Sequence, residues 1–284
     1  MLEINKIHCG DSCKHLKEIQ DKFIDLTVTS PPYDNLRDYK GYSFEFETIA
    51  KELYRITKDG GVVVWIVGDQ TLNGSETGTS FRQALYFMEI GFNLHDTMIY
   101  QKSGLTFPET NRYYPCFEYM FILSKGKPKT TNLIADKKNL NVGGTGGTFR
   151  QPNGELKKGY GHKIKEYGVR PNVWIYDTGL HKTTKDRFAF EHPASFPEKL
   201  AKDHIISWSN EEDLVLDPFV GSGTTCKIAK LQGRKFIGID ISEEYCKIAK
   251  KRIRQESLLP LAVNTKEDGF PPTPKGMGIQ PTIL

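Results

Sequence analysis

A strand, a glycine turn and a helix near the C-terminal end constrain this chain more than any other feature. The apolar run Leu214-Val215-Leu216 ends at Asp217 and is followed by Pro218-Phe219-Val220-Gly221-Ser222-Gly223-Thr224-Thr225. Glycines between a strand end and a helix start let backbone amides approach a ligand at the carboxyl edge of a parallel sheet. The next strand, Lys235 to Ile239, ends at Asp240, 17 residues after Gly223, close to the spacing at which an acid reaches ribose hydroxyls. The turn lacks the third glycine of a dinucleotide fingerprint and the lysine of a phosphate loop. A nucleoside cofactor without phosphate fits it best, namely S-adenosylmethionine. Asp217 is placed to meet the methionine ammonium directly or through water, with Phe219, Gly221, Ser222, Gly223, Thr224 and Thr225 forming the loop and Asp240 the ribose end.

The remainder reads as alternating strands and helices. Lys6 to Cys9, Ile24 to Thr29, Val62 to Val67, His95 to Gln101, Phe117 to Ser124, Asp213 to Leu216 and Lys235 to Ile239 are strand-like. Helical patterns cover about Phe44 to Thr57, Ser80 to Ile90, Thr224 to Leu231 and Glu243 to Arg254, and Lys58-Asp59-Gly60-Gly61 reads as a connection into the third strand. Ser195-Phe196-Pro197-Glu198 reads as a capping box with proline in the first turn of another helix. The expected architecture is α/β: a mixed, mostly parallel sheet flanked by helices.

A second motif, Thr29-Ser30-Pro31-Pro32-Tyr33, stands at a strand end. An exocyclic base amine is a poor nucleophile because its lone pair is conjugated into the ring. Acceptors at Ser30 Oγ and the Pro31 carbonyl can bond both amine hydrogens and favour a pyramidal nitrogen that attacks a methyl group in line. Pro31 and Pro32 leave that carbonyl without a ladder partner and rigidly aimed. Tyr33 is suited to stack on an extruded base.

Charge is unevenly placed. The net charge is +4, yet Lys125 to Arg187 holds fourteen Lys/Arg against five Asp/Glu, a local +9 that leaves −5 elsewhere. The stretch is rich in turn formers, as in Asn141 to Thr148, Gln151 to Gly154 and Gly159 to His162, and reads as a loop-rich insertion. Interleaved Phe149, Tyr160, Tyr167 and Trp174 supply flat apolar faces between cations, the combination that nucleic acid needs. Arg150, Lys157, Lys158, Lys163, Lys165, Arg170, Lys182, Lys185 and Arg187 are the candidate DNA contacts.

Together these motifs resemble the amino-methylating DNA methyltransferases, and their order resembles the permuted β-class, in which the catalytic motif precedes the cofactor motif. The resemblance spans about Ile4 to Arg254. It implies a Rossmann-like methyltransferase fold, S-adenosylmethionine as cofactor and a flipped base in double-stranded DNA as substrate. It matches Asp11, after Gly10, to the acid that meets the cofactor adenine, and Ser30-Pro31-Pro32-Tyr33 to the catalytic motif. Phe196 and Pro197, within His192 to Pro197, match the segment beside the cofactor's methionine part, and residues 125–190 stand where the family keeps its target-recognition region. Circular permutation then lets Lys6 to Cys9 supply the strand that the helix ending near Arg254 needs next. The chain divides accordingly into a catalytic half (1–124), the insertion (125–190), a cofactor half (191–256) and an extended tail (257–284). A serine at the first catalytic position is typical of cytosine N4 transfer in this family, and aspartate or asparagine of adenine N6. Either acceptor can serve either amine, so Ser30 favours cytosine N4 with adenine N6 as the alternative, ahead of an RNA or protein substrate. Many enzymes that the chain resembles defend or mark bacterial or phage DNA; whether a cognate restriction endonuclease is a partner, and whether the chain is a monomer or homodimer, stays open in the sequence.

Other readings fit less well. Cytosine C5 transfer needs a nucleophilic cysteine, and the one Pro-Cys pair, Pro115-Cys116, sits in the apolar approach Tyr113 to Phe117, where a buried structural cysteine is expected. Release-factor glutamine methyltransferases place the cofactor loop before their Pro-Pro-Tyr turn. A non-catalytic nucleic-acid-binding module has no use for the glycine turn and Asp240, and an oxidoreductase needs the third glycine. Five scattered cysteines without a Cys-x-x-Cys pair argue against a zinc cage or disulfide framework and for a reducing, cytoplasmic setting, and no metal site is expected. No apolar run approaches the ~20 residues of a membrane span.

Overall fold

The computed structural model describes residues 2–32, 44–104, 111–144, 147–158, 163–179, 182–184, 186, 189 and 196–255. The first half contains β1 (Lys6–Cys9), α1 (Ser12–Lys17), β2 (Ile24–Thr29), α2 (Phe46–Ile56) and β3 (Thr57–Val67), then the small hairpin β4 (Thr71–Leu72) and β5 (Ser75–Glu76), α3 (Thr79–Glu89), β6 (Asn93–Lys102) and β7 (Phe117–Ser124). The basic stretch adds β8 (Lys137–Lys138), β9 (Thr148–Arg150), β10 (Leu156–Lys158), β11 (Tyr167–Gly168) and β12 (Val173–Tyr176). The last part comprises α4 (Glu198–Trp208), β13 (Leu214–Asp217), α5 (Thr224–Leu231), β14 (Lys235–Asp240) and α6 (Glu243–Gln255).

Eight strands form one sheet in the order β1-β14-β13-β2-β3-β7-β6-β12, and only β7 runs against the rest. β1 pairs parallel with β14, Cys9 opposite Asp240, so the N-terminal strand extends the C-terminal half as the permuted order requires. Both faces of the sheet are covered, which explains why Val62 to Val67 is apolar without alternation. Val62, Val64 and Ile66 pack with Leu200, Ile205, Cys226 and Ala249 of α4, α5 and α6. Val63, Trp65 and Val67 pack with Leu16, Leu53 and Phe87 of α1, α2 and α3.

Four expectations need correction. Residues 58–61 do not turn away but run within β3, where a register shift between Ile24 and Leu26 of β2 absorbs them and Gly60 takes φ +80°. Val173 to Tyr176, expected in the insertion, is β12 at the sheet edge. Trp174, expected to face nucleic acid, is therefore buried in the core. Pro197, expected within the first turn, is instead the residue preceding α4, Glu198 bonds Thr184, Lys227 and Arg252, and Ser195 of the expected capping box lies outside the described residues. In the approach to β7, Tyr113, Tyr114 and Phe117 are exposed and Cys116 is only half-buried, so the apolar residues there do not form a buried run.

Among the described residues no helix is long and apolar enough to cross a membrane, and no group of His, Cys, Asp and Glu could hold a metal ion. The 257–284 tail lies outside the described residues.

Candidate active site

The strand order reverses between β13 and β2: the chain proceeds from β13 to β14 on one side and from β2 to β3 on the other. Loops leaving the carboxyl ends of two such strands diverge and open a crevice, the usual ligand position in this architecture. Ser30-Pro31-Pro32 leaves β2 on one side of the crevice, and the glycine turn leaves β13 on the other. The two sequence motifs, almost 190 residues apart, thus meet at one sheet edge.

Side chains stitch them together. Thr29 Oγ1 donates to Asp217 Oδ1 at 2.7 Å, and Thr225 Oγ1 donates to the Val28 carbonyl at 3.0 Å. The Phe219 amide also donates to Asp217 Oδ1, at 3.1 Å. Asp217 is 1% exposed, and burial pushes its carboxyl up to about 6 despite the Thr29 and Phe219 donors that favour the charged form. Among the described residues no cation hydrogen-bonds this buried acid, which suits it to an incoming ammonium.

The glycine turn is shaped for close approach. Gly221 has φ +47° and Gly223 φ +88°, in the left-handed region that side chains disfavour, and a Cβ on Gly223 would lie 2.9 Å from Ala249 Cα and Cβ. Asp240 is fixed by two amides, with Gly221 N donating to Oδ2 at 2.8 Å and Ser242 N to Oδ1 at 2.9 Å. Burial raises its carboxyl, and those two amides counter the rise. Asp11 caps α1 by accepting from the Cys13 amide at 2.8 Å, on the same edge, since Gly10 N bonds the Asp240 carbonyl. Ser12 Oγ donates to the Pro218 carbonyl at 2.6 Å and ties that turn to the glycine loop. Phe219 packs edge-on against Phe44 and Trp65.

Ser30 and Pro32 are half-buried and Pro31 is buried. Phe196 packs on the core and Pro197 is buried at the start of α4. Thr224 and Thr225 are buried in the first turn of α5. Tyr33, Tyr160, Lys185, Arg187 and the segment 192–195 lie outside the described residues.

Of the basic candidates, Arg150, Lys157, Lys158, Lys163, Lys165 and Lys182 are exposed. Arg150, Lys157 and Lys158 lie on the β9–β10 hairpin, where Arg150 pairs with Leu156 and every strand residue is exposed. Arg170 departs from the expectation. Its guanidinium turns inward onto Asp136 and, at 2.7 Å, Asp203, and stacks over the Trp174 ring, so it anchors the insertion to the sheet.

Two features of the site carried no signal in the linear reading. The Thr29 hydroxyl stood inside the quoted motif but its partner is 188 residues away. Arg252, read only as part of the last helix, is fully buried against the glycine loop.

Comparison with known proteins agrees with this arrangement. The family model of N6/N4 methyltransferases, described as DNA methylase, matches residues 24–251. The chain is 61% identical over 247 residues to the orphan methyltransferase M.BamHII of Bacillus amyloliquefaciens, covering 86% of this chain and 93% of that protein. It is 31% identical to the type II methyltransferase M.HpaI of Haemophilus parainfluenzae, covering 88% and 74%. The fold is similar to that of the cytosine-N4-specific PvuII DNA methyltransferase, with a TM-score of 0.65 at 20% identity over 90% of this chain and 87% of that one. It is also similar to M1.HpyAVI in complex with S-adenosylmethionine, with a TM-score of 0.58 at 24% identity over 87% and 98%. S-adenosylmethionine is the cofactor, and the buried acid, glycine cradle and second acid at this sheet edge fit it. The chain therefore belongs to the N6/N4 DNA methylase family, a Rossmann-like, S-adenosylmethionine-dependent group of enzymes acting on DNA.

Proposed function

We propose that the protein transfers a methyl group to the N4 amine of a cytosine flipped out of duplex DNA. The observation that supports it is the juxtaposition of Ser30-Pro31 with the Asp217 loop, coupled through Thr29 across the strand-order reversal. The cofactor loop (Asp217, Phe219, Gly221 to Thr225), Asp11, Asp240, Phe196 and Pro197 hold the cofactor, which supplies an electrophilic methyl group on a sulfonium. Ser30 Oγ and the Pro31 carbonyl accept the two hydrogens of the target amine and localise its lone pair. As the nitrogen–carbon bond forms, the methyl–sulfur bond breaks with its electron pair left on a thioether sulfur, and the amine gives up one of its two protons to water. Tyr33 stacks on the extruded base and Pro32 holds the turn rigid. Serine at the first motif position favours cytosine.

Residues 125–172 form the target-recognition region in this reading, with β12 returned to the catalytic sheet. Exposed Arg150, Lys157, Lys158, Lys163, Lys165 and Lys182, with Lys185 and Arg187, contact DNA. Separate kinetics on two variants test the roles: Ser30→Ala lowers kcat with little change in cofactor affinity, and Asp240→Ala weakens cofactor binding with a smaller effect on kcat at saturation. The reverse pattern overturns the assignment.

A further inference from the structure

Arg252 is an arginine at 0% exposure in a chain where the reaction gives it no direct part. Every nitrogen of its guanidinium is engaged. Nη1 donates to the Ser222 carbonyl at 2.9 Å, to Ser222 Oγ at 3.0 Å and to Thr224 Oγ1 at 3.1 Å. Nε donates to Asp186 Oδ2 at 2.9 Å, and Nη2 to Glu198 Oε1 at 2.6 Å and Thr184 Oγ1 at 3.2 Å. Lys227 of α5 bonds the same two carboxylates, at 2.9 Å each. Among the described residues, these two buried cations and two part-buried carboxylates join α4, α5, α6, the glycine loop and the segment around Asp186.

A cluster of this kind is a weak way to gain stability. Removing the two cations from water costs several kcal/mol per ion, and apolar residues of similar volume commonly stabilise as well or better. What the cluster supplies is direction. The two carboxylates fix the plane of the guanidinium, and the guanidinium fixes the Ser222 carbonyl, which lies between the two positive-φ glycines of the loop. One turn earlier on the same helix, Ala249 lies against Gly223 so closely that a Cβ there would sit 2.9 Å away. Helix α6 therefore holds the loop at two points, by contact at Ala249 and by hydrogen bonds at Arg252.

We infer that Arg252 is a positioning residue for cofactor binding, oriented by Asp186 and Glu198. It sets the Ser222 peptide so that the loop keeps the shape that admits the cofactor. Asp186 and Thr184, which complete the clamp, lie within four residues of the exposed Lys182 in the chain. The inference rests on the assignment of the Gly221–Gly223 loop to the cofactor.

The test is calorimetric titration of the full-length protein with S-adenosylmethionine, with KM and kcat measured alongside. Arg252→Lys retains the charge but cannot make the planar fork, and is expected to weaken binding ~10-fold, the worth of one or two charge-assisted hydrogen bonds. The loss falls on the cofactor KM, with kcat reduced less than about threefold. Glu198→Gln, which keeps the size of the side chain, provides the same reading if Arg252→Lys does not fold, with about fivefold weaker binding. Asp217→Asn separates the two levels of the argument. If it weakens binding and the folded Arg252 or Glu198 variant does not, the clamp is a fold staple only and the inference fails. If neither variant alters binding, the loop assignment itself fails and takes the inference with it.

Discussion

Thr29 and Asp217, the last residues of β2 and β13, are joined by a 2.7 Å hydrogen bond between buried side chains. The bond spans the point where the strand order reverses, so the segment that presents Ser30 and the acid of the cofactor loop hold each other in place. Neither side chain can move without disturbing the other half of the site. The relationship makes the protonation state of Asp217 a property of both motifs.

Burial lifts the Asp217 carboxyl to about 6, above its ordinary value of 3.8. A group raised on folding binds its proton more tightly in the folded chain, so its cost to stability is fully present above about pH 6 and is relieved as the pH falls toward about 4. Two units correspond to about 3 kcal/mol. Asp217→Asn is therefore expected to raise the melting temperature of the cofactor-free protein at neutral pH while weakening cofactor binding. Thermal melts and titration of the same sample check both halves, and a lowered melting temperature contradicts the account.

Cofactor affinity in the wild type is expected to fall as the pH drops below about 6, by up to tenfold per unit, because the ammonium loses its carboxylate. Thr29→Val removes a donor that favours the charged form, moving the midpoint of that fall upward by about one unit. Thr29→Ser retains the hydroxyl and the wild-type midpoint. An unchanged profile in Thr29→Val contradicts the coupling.

The basic residues separate into two classes by direction. Arg170 pairs with Asp136 and with Asp203, whose side chain is 10% exposed, so Arg170→Ala is expected to cost about 2–4 kcal/mol in denaturant unfolding. Lys157→Ala and Lys158→Ala, on the exposed hairpin, leave stability within about 0.5 kcal/mol. Each instead lowers DNA affinity and reduces the salt slope by about one. Filter binding at several salt concentrations distinguishes the classes.

The sequence was legible where local chemistry dictates local structure. The run Val62 to Val67 and the strand-turn-helix around Gly221 followed from apolar patterning and turn residues, and the placement of β1 beside β14 from the permuted motif order of the family that the chain resembles. β12 did not, because four residues inside a charged, turn-rich stretch gave little apolar run to read. Its alternation is visible in hindsight, with Trp174 and Tyr176 buried and Val173 and Ile175 exposed. Charge told how many cations the insertion holds but not which way each points, and Arg170 points inward. The Thr29–Asp217 bond and the Arg252 cluster join residues far apart in the chain, and no spacing encodes such pairs.

The central claim is best tested by the product. Duplex DNA of diverse sequence is incubated with the protein and methyl-labelled S-adenosylmethionine, digested to nucleosides and analysed by mass spectrometry. Label in N4-methylcytosine is the expected result, and label in N6-methyladenine instead contradicts the reading of Ser30.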